Sequence, residues 1–270
     1  MKKKCSQGYN VNNIVGIDQF GRTFDITAGD KAGKQIGMFY FLWLGHPLFS
    51  GVYDATKISN EYGQDALFHQ TSDISPEGQF HFWGEPLYGY YNSGDEYVIR
   101  KHIELLITAG IDFLIFDSTN AVTYDSVYQK IMKIIDEYMQ AGWDAPKVAF
   151  YTHSYSIQTA NKLYENVYKA NYYPNTWYLV DGKPLIIAYT DPADDMAEAQ
   201  SRGDSSYKPQ EFSQEFLDFF TIKRPQWPSD PTYADGFPWM EWTYPQPEHN
   251  GIMNVSVAAH PGVPFSFSIT

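Results

Sequence analysis

The chain has 270 residues, enough for one large domain with a substantial core, and 32 acidic against 19 basic residues give a net charge of −13. That balance excludes a partner held by its phosphate backbone, because nucleic-acid binding rests on clustered Lys and Arg. Aromatic residues are 17% of the sequence, with 22 Tyr and 7 Trp; such rings stack on apolar sugar faces while their O–H and N–H groups take hydrogen bonds, so the excess favours a carbohydrate ligand.

Met1-Lys2-Lys3-Lys4 has the charge of a secretion-signal start, but Cys5-Ser6-Gln7-Gly8 follows with no apolar stretch between. The pattern fits a trimmed leader whose Cys5 would carry a lipid anchor, and equally a Lys-rich cytosolic start. Cys5 is the single cysteine, so no intramolecular disulfide forms. No apolar run reaches about 18 residues, and no membrane span is expected.

Residues 1–35 are polar and Gly-rich and read as an irregular lead-in or a short hairpin. The first buried strand is expected over 36–42. Residues 45–92 then show no clear period, and a connection of that length is usually functional, so it is expected to form an insertion over the site. Ser93 and Glu96 make an S-x-x-E capping box for a helix carrying Val98, Ile99, His102, Ile103, Leu106 and Ala109 at helical spacing, and Gly110 stops it. A second helix bears Val127, Ile131, Ile134, Ile135 and Tyr138 and ends before Gly142, after which 147–151 is a strand.

A third helix covers Ile157, Ala160, Leu163, Tyr164 and Val167. Asp181-Gly182 between two apolar runs is a hairpin signal leading into a strand over 185–187. Residues 192–210 are polar with no strong period, and 212–220 read as a short helix with Ser213 as its cap. The last runs are 236–240 and 254–258, which brings the count to about six strands.

Alternating strands and helices predict an α/β fold with a parallel sheet, and the carboxyl ends of parallel strands are where such folds place their chemistry. Five runs end in a titratable residue: Asp117, His153, Asp191, Glu241 and His260. Glu241 lies between Trp239 and Trp242, and a ring-lined surrounding suits a carboxyl to protonate a leaving oxygen. Asp117 precedes Ser118-Thr119-Asn120 and is a candidate partner carboxylate, against the alternative of an Asx turn. Asp191, before Pro192, is a second candidate partner, equally explained as a turn initiator. His153 and His260 would floor a polar sugar site. Tyr40, Trp43 and His46 near the first strand end, Trp83, Tyr90 and Tyr91 in the insertion, and Asn120, Trp239 and Trp242 complete the candidate substrate-binding set.

Other chemistries leave no mark. The sequence has no G-x-S-x-G elbow, no G-x-x-x-x-G-K-[ST] phosphate loop, no G-x-G-x-x-G turn and no H-E-x-x-H helix. No spacing demands a metal, and no cofactor is implied.

Three segments, Gly37-Met38-Phe39-Tyr40-Phe41, Gly89-Tyr90-Tyr91-Asn92-Ser93-Gly94-Asp95 and the run from Ala109-Gly110-Ile111-Asp112 to Asp117, together resemble the N-terminal half of bacterial glycoside hydrolases grouped with families 71 and 99. The resemblance covers roughly 36–260 and is closest to the 71/99-like branch related to endo-α-mannosidases. It implies a (β/α)8 barrel of the TIM type over 36–270 and a glycoside hydrolase cleaving a complex glycan by carboxylate acid/base chemistry. It also implies a periplasmic, cell-surface or secreted protein of the Bacteroidetes kind.

Two departures stand out. Family 99 carries a Glu-x-x-Glu pair at a late strand end, whereas Glu241-Trp242-Thr243-Tyr244 has Tyr244 at the second position. A closed barrel needs eight strands, and six leave it incomplete. The alternative to hydrolysis is a carbohydrate-binding or inactive barrel, with no carboxylate pair at catalytic separation.

Overall fold

The computed structural model describes residues 16–17, 19–24, 33–45, 51–68, 73–228, 230–241 and 246–255. Cys5, His46, Trp242 and His260 lie outside them.

Six parallel strands form the main sheet: β1 (Gly37–Tyr40), β2 (Phe113–Ser118), β3 (Lys147–Thr152), β4 (Lys183–Ile187), β5 (Thr221–Gln226) and β6 (Gly236–Pro238). They pair in chain order, each hydrogen-bonded to the next. The sheet curls into a half-barrel with helices outside, an α/β arrangement of the TIM type.

Alternation along the strands sorts side chains to the two faces. Leu114, Phe116, Val148, Phe150 and Ile186 pack outward against Ile103, Val127, Ile131, Ile135, Leu163 and Phe216 of the helices. Phe113, Ile115, Ala149, Tyr151, Leu185, Ile187 and Phe237 form a second cluster on the concave face. Tyr151 ties the curl together: its hydroxyl donates to the Phe237 carbonyl (2.9 Å) and accepts from the Gln226 N–H (3.0 Å), linking β3 to β5 and β6.

Helix α1 (Ala55–Tyr62) and a 3-10 turn (Gln64–Leu67) occupy the insertion after β1, beside a two-residue parallel bridge of Tyr53–Asp54 with His81–Phe82. Helix α2 (Glu96–Ala109) is capped by Asp95, whose carboxylate accepts from the Val98 N–H at 3.1 Å, two residues after the Ser93 that the capping-box pattern marks. Gly110 ends it in the left-handed conformation (φ 71°), as expected.

Helix α3 (Asp125–Gln140) buries the expected apolar stripe. The third predicted helix is α4 (Ser156–Leu163) followed by a π-helical turn, Tyr164–Lys169. Asp181 and Gly182, at φ 52° and 79°, make the hairpin turn between Leu179–Val180 and β4, both positive φ values being what that turn needs.

Two expectations are corrected. Residues 192–210, read as polar and aperiodic, hold helix α5 (Pro192–Ser201) before α6 (Gln214–Phe219). The fifth strand is Thr221–Gln226, which the sequence hides behind Lys223, Arg224 and Pro225. Of the expected strand at 254–258, residues 254 and 255 are not strand, and the rest lies outside the described residues.

Candidate functional site

The concave-face positions run out to the strand ends and, after β3, β4 and β6, just past them. Phe113 and Ile115 are followed at the same parity by Asp117, Ala149 and Tyr151 by His153, Leu185 and Ile187 by Tyr189, and Phe237 by Trp239. Parity thus brings side chains from four strands to the carboxyl mouth of the sheet.

There they form a row. The His153 and Trp227 rings lie 4.2 Å apart, and Trp227 stacks on Trp239 at 4.3 Å with planes 10° apart. The Trp239 indole N–H donates to Asp117 Oδ2 at 3.4 Å, so the row runs from β3 through the segments after β5 and β6 and back to β2. Asp117 is buried, and its Oδ1 accepts from the Thr119 N–H at 2.9 Å in an Asx turn.

A cleft of about 600 Å³ opens beside this row, bordered by Asn120, His153, Glu198, Arg224, Trp227 and Asp230, among others. Its other wall comes from α5. Asp191 caps that helix, Oδ1 accepting from the Ala193 N–H at 2.8 Å, and Pro192 sits at its first position. Asp195, fully buried, reaches across to accept from the Ser156 and Ile157 N–H groups at 2.7 and 3.2 Å, capping α4 and fixing α5 against it.

Asp194 and Glu198, one turn apart on α5, border the cleft. Arg224 grips Asp194 with two bonds of 2.6 and 2.8 Å, its guanidinium 3.9 Å from the Tyr233 ring centroid.

The Glu198 side chain is 8% exposed; its Oε1 accepts from the Ser154 hydroxyl at 3.0 Å and lies 3.5 Å from His153 Nδ1 and 3.6 Å from Arg202. Its Oε2 is buried with no hydrogen-bond partner among the described residues. Burial raises the Glu198 carboxyl, opposed by the Ser154 bond and by Arg202, and burial likewise raises Asp230. Burial, helped by Arg202, pushes the His153 imidazole down to about 4. The ring is therefore neutral at pH 7, and its contact with Glu198 is not an ion pair.

Glu241 follows Trp239 by two residues and is buried, its Oε1 bonded to His249 Nε2. His249 stands on a small hairpin, Glu248–His249 with Ile252–Met253, and Asn254 donates to the Trp239 carbonyl at 2.8 Å. The buried His249 Nδ1 has no partner among the described residues. A buried nitrogen without an acceptor is better left unprotonated, so the proton sits on Nε2 and is donated to Glu241.

The sequence candidates thus fall into three groups. Asp117, Asn120, His153 and Trp239 meet at the mouth, with Glu241 next to them in the chain. Asp191 is an exposed helix cap behind it. The early aromatics do not border the cleft: the Tyr40 hydroxyl bonds to His102 of α2 at 2.9 Å, Trp43 packs on Phe80, Trp83 is 91% exposed, Tyr90 donates to Asp54 at 2.6 Å, and Tyr91 packs against His102.

Trp227, Asp194, Glu198, Arg224 and Asp230 went unmarked in the sequence. The signal for two of them, Asp194 and Glu198, was Asp191-Pro192, a cap followed by a first-turn Pro, with Glu198 and Arg202 four residues apart, the signature of a helix. Among the described residues no group of three or more His, Cys, Asp or Glu is arranged to hold a metal, and no helix is long and apolar enough to cross a membrane.

No protein-family model matches the chain, and no curated protein does. Solved structures do match. Two are of the GH99 endo-alpha-mannosidase of Bacteroides thetaiotaomicron. One, in complex with bis-tris-propane, has 20% identity over 60% of this chain and 45% of that one, with a TM-score of 0.33. The other has 18% identity over 69% and 54%, with a TM-score of 0.37. The third is a glycoside hydrolase-like protein, with 16% identity over 75% and 55% and a TM-score of 0.38. The similarity is to glycoside hydrolases. The chain spans about half the length of these structures.

Proposed function

We propose that this chain is a glycoside hydrolase that binds a glycan at the carboxyl mouth of its sheet and cleaves it by carboxylate chemistry. The observation that carries this reading is the row His153–Trp227–Trp239 ending on Asp117. Stacked rings give a sugar an apolar wall, and a carboxylate at the end of the wall can orient a hydroxyl or activate water. Glu241, two residues beyond Trp239, supplies a second carboxyl from the next turn of chain. The His249 N–H donated to it leaves Glu241 as a hydrogen-bond acceptor, which suits a base or nucleophile better than the proton donor its flanking tryptophans imply.

The test is a panel of host and plant glycans offered to the wild type, Glu241→Gln and Asp117→Asn. Cleavage of at least one glycan by the wild type, with a loss of about 100-fold or more in each variant, is the expected result. Equal activity in all three removes these carboxyls from the mechanism.

A second reading, a glycan-binding barrel without hydrolysis, is favoured by one observation: both Asp117 oxygens and Glu241 Oε1 already hold protein partners. It predicts a glycan that binds the wild type and Glu241→Gln alike and is recovered intact.

A further inference from the structure

We propose that Glu198 is the carboxyl that delivers a proton to the leaving oxygen in this cleft. The proposal rests on the glycosidase reading above and names a group that reading does not use. Asp117 accepts N–H bonds at both oxygens, and Glu241 accepts one from His249, so each is already engaged as a hydrogen-bond acceptor. Glu198 is built differently. It borders the cleft with His153 and Trp227, its Oε1 is fixed by the Ser154 hydroxyl, and its buried Oε2 meets no partner among the described residues. An oxygen of that kind, in a carboxyl almost removed from water, is where an acid proton is kept.

The surroundings agree. His153 on β3's end is neutral at pH 7, so it adds no positive charge beside the carboxyl. Arg202, four residues on, pulls toward ionisation, while Asp195 on the same helix pushes against it. Arg224, which also borders the cleft, is neutralised by Asp194, and Asp230 is itself raised by burial.

In the step, the Glu198 proton passes to the glycosidic oxygen as the bond from that oxygen to the anomeric carbon breaks, the electron pair staying on the oxygen. A water attacks the anomeric carbon and gives its proton to the Glu241 or Asp117 carboxylate, from which solvent returns a proton to Glu198. One water is consumed and two hydroxyls are made.

Two measurements test this. In protein labelled with 13C at the Glu carboxyls, one resonance missing from Glu198→Gln should titrate above the exposed glutamates, and Ser154→Ala, which removes the Oε1 donor, should move it higher still. Titration of that resonance with the exposed glutamates overturns the proposal.

On a dinitrophenyl and an alkyl glycoside of one sugar, Glu198→Gln should lose about 100-fold or more on the alkyl glycoside and under about 10-fold on the dinitrophenyl one, whose leaving group needs no proton. Equal losses on both overturn the acid role while leaving the glycosidase reading intact. A wild type that cleaves no glycoside, with the Glu198 resonance still titrating high, overturns the glycosidase reading and the catalytic role with it.

Discussion

His153 shows how burial governs the charge of single residues of this cleft. Its imidazole is held neutral down to about 4, against an ordinary value near 6.5. The unfolded chain therefore binds a proton below about pH 6.5 that the folded chain refuses until about pH 4. Stability is complete above that window and falls as the pH drops through it, by a total on the order of 3 kcal/mol. His153→Gln should flatten the fall in Tm between pH 6.5 and 4, and a wild-type Tm that is level across this window would count against the assignment. Glu198 works in the opposite sense. Burial raises it, so the folded state carries a cost while the carboxyl is ionised and is relieved of it as the pH falls through the raised value. Glu198→Gln should accordingly match or exceed the wild-type Tm at pH 7 and lose that advantage in acid. A residue whose replacement stabilises the fold while costing activity on poor leaving groups is serving the site.

Among the elements, the tie from β3 to β5 and β6 is the one most exposed to a single change. Tyr151→Phe removes one hydroxyl and strands two buried backbone groups, the Gln226 N–H and the Phe237 carbonyl. The expected loss is about 2 to 4 kcal/mol in urea unfolding, with the ring's packing unchanged; a loss under about 0.5 kcal/mol would show that the link is not made. Elements whose formation is local were legible in the sequence. The Asp181-Gly182 turn, the stripe of α3, the Gly110 stop and the Ser213 cap all follow from residues within one turn of each other. β5 was not, because Lys223, Arg224 and Pro225 carry no strand signal by themselves. Arg224 is paired with Asp194, thirty residues earlier in the chain, and Pro225 pairs with Phe237. α5 was missed for a similar reason: its buried face is made by Asp195 and Ala199, a carboxylate and a small residue, and the carboxylate is satisfied from outside the helix, by the N-terminus of α4 and the Tyr207 hydroxyl. The cleft lies between these two elements. Half of the candidate site was therefore readable as strand-end residues, and the half supplied by α5 and the loop after β5 was not.

For the molecule as a whole, the mouth is held together by contacts between strands far apart in order. Trp239 bonds to Asp117, joining the sixth strand's end to the second, and Tyr151 spans the concave face below. The site thus exists only when the whole sheet has curled. Tryptophan fluorescence from the row and helical circular dichroism should lose their native signals at one urea concentration, and an earlier fluorescence transition would mean that the mouth opens separately.

The parallel indoles of Trp227 and Trp239 have an optical consequence as well. Two like chromophores 4.3 Å apart couple their electronic transitions, so the pair should give a bisignate exciton band in the ultraviolet dichroism that neither ring gives alone. Trp227→Ala and Trp239→Ala should each abolish the whole band, and a band that merely halves would show that the rings do not couple. A glycan settling on the row would perturb it, giving a reading of occupancy that needs no label and no turnover.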